Sequence, residues 1–207
     1  MKQNNKVLVL RTCAADLTSH GGYRWPESGP VEAPDWDPWP VCGHGLHGLP
    51  WGVGDGGLLD WSAEAKWLVV EVDADDIVDL DGKCKFRRGV VVHCGDRLSA
   101  TKYLVERGAD PARVVGYIAT AGDGGIATAG NYGIATAGNY GIATAGIWGT
   151  ATAGNRGIVV VHYWDERTRR MRLAVGYVGE DGIEPDQPYR VEGGKLVPAD
   201  DEAQEEE

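Results

Sequence analysis

The chain has 207 residues, a net charge of −11 at pH 7 and no Lys/Arg stripe, which argues against nucleic acid as a partner because neutralising phosphates requires a basic surface. Its 31 glycines are about twice the usual share, against a single Phe. No apolar run reaches transmembrane length. The short Val7–Leu10 run lacks the features of a signal peptide, so the expectation is a cytoplasmic protein, not membrane-bound, with Cys13, Cys42, Cys84 and Cys94 as reduced thiols.

Residues 1–116 read as a small α+β module. Strands are expected at Lys6–Thr12, Lys66–Val72 and Phe86–Val92, with a helix over Ser99–Arg107 that Ser99 caps and Gly108 stops. Between the first two strands lies a Trp-, Pro- and Gly-rich stretch holding Trp25, Trp36, Trp39, Trp51 and Trp61, expected to cover the core. Within it, Cys42, His44 and His47 lie close enough in sequence to be weighed as metal ligands, with Cys84, or His93 and Cys94, as a second pair. Without a CxxC spacing, turn and core roles are the stronger reading, and no metal or other cofactor is expected. Asp73, Asp75, Asp76, Asp79 and Asp81 lack the calcium-loop spacing and read as a solvated turn.

From Ile118 the chain repeats every eight residues, with Gly-Asn-Tyr-Gly-Ile-Ala-Thr-Ala as the clearest unit. Four-residue strands between Gly-rich turns predict a β-solenoid over 117–161, two strands per coil and about three coils stacked at about 4.8 Å. Side chains alternate along each strand. Gly and Ala suit so narrow an interior, leaving Ile and Thr outside, although the reverse assignment stays open. With Ile outside, Ile118 and Ile134 share one face, and Ile126, Ile142 and Ile158 the other. In the turns, Tyr132 would neighbour Trp148, and Tyr140 would neighbour Arg156. Ile126, Ile142, Ile158, Tyr132, Tyr140 and Trp148 are therefore the candidate association residues.

A β-hairpin cap is expected over 162–198, with Ile158–Trp164 returning through Met171–Val178 and a second small hairpin around Gly193–Gly194. Residues 199–207 read as an acidic disordered tail. The fold class is thus mainly β: a short octapeptide-repeat solenoid between an α+β module and a hairpin cap.

The segment AGNYGIATAGNYGIATAG resembles the octad repeats of bacterial ice-nucleation proteins, with a Tyr in the turn. The Thr-x-Thr strand of that family is Ile-x-Thr here from Ile118 to Thr144, and keeps both threonines only at Thr150 and Thr152. The Cys42-Gly-His-Gly-Leu-His47 element, the Leu68–Val72 strand, Lys83-Cys-Lys85 and the repeats together resemble an uncharacterised phage and bacterial family. That resemblance implies no activity.

Three functions follow in order of preference. The first is self-association as a homo-oligomer, or binding of another protein, through the solenoid faces or aromatic edge. The second is enzymatic: Arg11, His47 and Glu71 on successive strands loosely resemble an ADP-ribosyltransferase site, in which Arg and His would bind the dinucleotide and Glu would polarise the ribose. The third is weak ice binding, implied by the repeat resemblance.

Overall fold

The computed structural model describes residues 5–199; the acidic tail, from Asp200 on, lies outside them. The described chain is mainly β with one α-helix. No helix in it is long and apolar enough to cross a membrane. Two compact units divide the chain, at 110/111.

The first unit is a seven-stranded sheet built from β1 (Lys6–Cys13), β2 (Gly29–Glu32), β3 (Leu46–Pro50), β4 (Lys66–Asp73), β5 (Ile77–Asp79), β6 (Cys84–Phe86) and β7 (Arg88–Gly95). Its order is β2-β7-β4-β1-β3-β6-β5, with every pairing antiparallel. The central strands read as continuous apolar runs because both their faces are covered, and Val9, Leu10, Val69 and Val70 are fully buried. One face packs with Trp25, Val31 and Phe86. Helix α1 (Arg97–Val105) also packs on β4 and β7 and buries Leu104.

Three features of this unit differ from expectation. The strand expected over Phe86–Val92 is two strands: β6 pairs with β3 and β5, whereas β7 pairs with β4 and β2, so the chain changes neighbours at Arg87. Ala33 N–H donates to the Arg87 carbonyl there at 2.8 Å. The helix starts earlier, at Arg97. Asp96 is its N-cap, and Ser99 occupies the third position of a capping box, with Asp96 Oδ1 accepting from Ser99 N–H at 2.8 Å. Third, the Trp-rich stretch contains β2 and β3. Trp25 is buried there, and Trp61 packs edge-on against Trp67, while Trp39 stands exposed.

In the second unit the repeat forms β8 (Ile118–Ala121), β9 (Ile126–Ala129), β10 (Ile134–Ala137), β11 (Ile142–Ala145), β12 (Thr150–Ala153) and β13 (Ile158–Asp165). Successive strands alternate between two sheets, and within each sheet residue i pairs in parallel with residue i+16. The alanines face inward: Ala135, Ala143, Ala145, Ala151 and Ala153 are wholly buried, whereas Ile and Thr are not. In β13 the corresponding inward positions are Val159 and Val161, also wholly buried.

The turns show why the unit is eight residues long. In Gly130–Gly133 the Gly133 N–H donates to the Gly130 carbonyl at 3.0 Å, and Tyr132 has φ +56°, the pattern of a type II turn. Tyr140, Trp148 and Arg156 repeat this conformation at φ +56°, +59° and +55°. Gly146 admits no side chain, because a Cβ would meet the Asn131 amide nitrogen at 2.5 Å. Turn acceptors also stack. Asp123 Oδ1 accepts from Asn139 N–H at 2.8 Å, Asn139 Oδ1 from Asn155 N–H at 2.9 Å, and Asn131 Oδ1 from Ile147 N–H at 3.0 Å.

Two hairpins follow. β14 (Arg170–Tyr177) returns antiparallel along the whole of β13, and β15 (Tyr189–Glu192) pairs with β16 (Lys195–Pro198) across Gly193–Gly194 while meeting β12 at Ala151↔Tyr189. Tyr189 is buried against the alanine core, and its hydroxyl accepts from Glu184 N–H at 2.7 Å.

Candidate functional site

The sheet β14-β13-β11-β9 carries an apolar outer face. Alternation puts Val159, Val161, Ala174 and Gly176 inward, so the larger side chains of the hairpin point out. The ladder registers then align Tyr177, Ile158, Ile142 and Ile126 in one row, and Val175, Val160, Thr144 and Thr128 in the next. Leu173 beside His162, and Met171 beside Trp164, extend the face along the hairpin. Ile126 is 68% exposed, Leu173 55%, Tyr177 54% and Val175 47%, although apolar side chains of this size usually find cover.

The opposite sheet differs. Its outward rows are Ile118, Ile134 and Thr150, then Thr120, Thr136 and Thr152, an unbroken threonine row. Of the turn residues, Trp148 is 74% exposed and Tyr140 63%. The Arg156 guanidinium lies 5.9 Å from the Tyr140 ring centre, and Tyr132 N–H donates to the Ile147 carbonyl at 2.9 Å. Ile126, Ile142 and Ile158 are thus brought onto one face, and the aromatic positions lie in the turns beside it.

The first unit holds a different kind of site, an open cavity of about 150 Å³ lined by Arg11, Thr12, His47, Gly48, Leu49, Leu58, Leu59 and Lys83. Arg11 leaves β1 on the face of Val9 and Cys13. Its Nη1 donates to the His47 carbonyl at 3.3 Å, and its Nε and Nη2 to the Thr12 carbonyl at 3.3 and 3.2 Å. The guanidinium lies 4.1 Å from the Trp25 ring centre, and burial pulls its pKa down to about 10. Burial also lowers the pKa of His47, and the charges of Lys83, Arg11 and Lys85 lower it further. His47 Nε2 is buried without a hydrogen-bond partner. At the rim, Lys83 Nζ donates to Cys42 Sγ at 3.0 Å, and this bond lowers the thiol's pKa. Lys85 is fully buried, its Nζ donating to the Val41 carbonyl at 3.0 Å.

Only two of the three residues of the enzymatic alternative meet here. Glu71 is paired across from Leu8, and Arg11 from Leu68. Leu8 and Arg11 are three residues apart on one strand, so strand alternation sends Glu71 to the opposite face of the sheet. There Glu71 lies 4.0 Å from Lys6. The weak metal candidates are also held apart: Cys42 by Lys83, His44 by Asp35 at 3.4 Å, and His47 beside Arg11. No cluster of three metal-binding side chains occurs among the described residues. Asp73 pairs with Lys6 at 2.9 Å and Asp76 with Arg88 at 3.0 Å, which accounts for two of the acidic-turn residues. All four cysteines are free thiols. Burial pushes Cys13 up to about 11 and Cys84 up to about 12, which favours the protonated thiol at both.

Sequence reasoning missed the outward row of β14 and the contribution of Lys83 to the cavity. The row was signalled by Leu-Ala-Val-Gly-Tyr, in which large side chains alternate with Ala and Gly as they do in the repeat. Nothing in the sequence ties Lys83 to Arg11.

A family described as a domain of unknown function (DUF7666) matches residues 7–106. An ice nucleation protein of Pseudomonas syringae is 46% identical over 110 residues, which is 52% of this chain and 10% of that protein. Ice nucleation protein InaU of Pantoea ananas is 43% identical over 110 residues, 52% of this chain and 11% of its own length. One from Xanthomonas campestris pv. translucens is 43% identical over 101 residues, 48% of this chain and 6% of its own. The chain thus spans about a tenth or less of the length of these curated relatives. No solved structure matches it. The similarity to ice nucleation proteins is shared by about half of the chain.

Proposed function

We propose that the repeat is a short β-solenoid serving as an association module, with a second copy of the chain as its partner, through the outer face of β14, β13, β11 and β9. The observation that carries this reading is the set of exposed apolar side chains Ile126, Leu173, Val175 and Tyr177 on one sheet face. Two copies related by a two-fold axis would bury the same rows against each other, the commonest way for a soluble chain to cover such a face. Burying a Leu or Val side chain contributes about 1.5–3 kcal/mol relative to leaving it in water.

Absolute mass by light scattering, across a range of concentrations, tests this. The expected result is a dimer or larger species that Leu173→Glu with Ile126→Lys returns to monomer. A wild-type monomer at every concentration would rule the reading out.

A second reading, weak ice binding, is favoured by the threonine row Thr120, Thr136 and Thr152 and by the likeness to proteins named for ice nucleation. The strands present Ile and Thr on a lattice of about 4.8 by 6.6 Å, a regular array for ordered water. The array has three rungs, so the expected activity is small. Ice-recrystallisation assays comparing wild type with Thr136→Lys decide it; equal behaviour removes this reading.

A further inference from the structure

We propose that the cavity between β1 and β3 binds a small oxyanion, a phosphate or carboxylate group, held by Arg11 and Lys83 beside His47. The lining contains a guanidinium, an ammonium and an imidazole but no carboxylate, in a chain whose net charge is −11. Buried charges are ordinarily paired, because desolvating an ion costs several kcal/mol unless a counter-charge repays it. Among the described residues no carboxylate pairs with Arg11: its three hydrogen bonds, all 3.2–3.3 Å long, reach two backbone carbonyls, and its other contact is the Trp25 ring. A guanidinium carries five N–H donors in a planar fork that matches two oxygens of one carboxylate or phosphate. Among the described residues Lys83 donates to a thiol at the rim, and a thiol is a weak acceptor.

The Thr12 hydroxyl oxygen accepts from Asp60 N–H at 2.6 Å, which leaves its own O–H as a further donor at the cavity. Leu49, Leu58 and Leu59 form the rest of the wall, and they lower the local dielectric and strengthen attraction between the cations and an entering anion. The volume of about 150 Å³ admits one tetrahedral or planar oxyanion with a few waters.

The test is thermal denaturation and calorimetric titration of the whole chain with sodium phosphate and with sodium acetate, each against sodium chloride at matched ionic strength. The expected result is a saturable stabilisation by at least one of the two oxyanions, with affinity reduced about tenfold or more in Lys83→Ala, whose side chain lies at the rim. Arg11→Gln is expected to abolish binding, and Lys83→Ala keeps the test valid should that variant fail to fold. A response no greater than that to chloride overturns the proposal, as does a response that Lys83→Ala leaves intact.

Discussion

Asn131 sits where one turn of the repeat hands a hydrogen bond to the next, its Oδ1 accepting from Ile147 N–H at 3.0 Å. Asn131→Ala leaves that amide to water or unpaired, and the expected loss is about 1 kcal/mol. In a unit of this size that corresponds to a melting midpoint lowered by about 4–8 °C. Asn131→Asp keeps an acceptor at the same place and is expected to melt close to wild type, so a pair of melting curves checks the assignment. The recurrence of Asn at one repeat position was visible in the sequence, but its role was not, because donor and acceptor are sixteen residues apart. The same kind of information was missing for Arg11, His47 and Glu71. Each strand could be guessed, but the register placing Glu71 opposite Leu8 is a property of pairing. A slip of one residue would carry Glu71 to the face of Arg11.

At the scale of elements, short-range signals were read well where one local rule dominated and poorly where two competed. The start of α1 offers both Asp96 and Ser99 as N-caps, and either residue type suffices. The extended backbone of Asp96 and its bond to Ser99 N–H decide for Asp96. Asp96→Ala is therefore expected to cost about 1 kcal/mol in equilibrium denaturation, more than Ser99→Ala. The opposite ranking would restore Ser99 as the cap. β2, β3 and β5 were illegible for another reason: they have four, five and three residues, β2 and β3 among Pro and Gly and β5 among aspartates, so alternation never accumulates. They are strands because β7, β1 and β6 offer them edges. The hairpin of β13 and β14 was legible in place and direction. Its facing was not, since Met, Leu, Val and Tyr would ordinarily be assigned inward. Here the interior is the narrow alanine layer, and it takes Ala174 and Gly176 instead.

Across the whole molecule, the repeat unit could be read almost directly because its period is short and each strand meets the one two octads on in identical register. The other unit could not. Its strand order β2-β7-β4-β1-β3-β6-β5 is set by contacts distant in the chain, and only β1, β4 and the apolar run within β7 announce themselves by composition. The two candidate sites follow that division. One is an apolar sheet face that a periodic sequence lays out in rows, and the other is a charged cavity assembled from separated segments.

The sixteen-residue step between bonded strands has a bearing on how such a chain can change length. Duplicating or deleting sixteen residues adds or removes one whole rung, and each later strand keeps its sheet and its outward residues. A change of eight, though it preserves every local motif, sends all later strands to the other side. If the change falls between β11 and β13, the Leu173–Tyr177 hairpin would then extend the sheet of Ile118 and Ile134 in place of that of Ile126 and Ile142. Only a change by an even number of octads leaves each later outward residue on the sheet it now occupies.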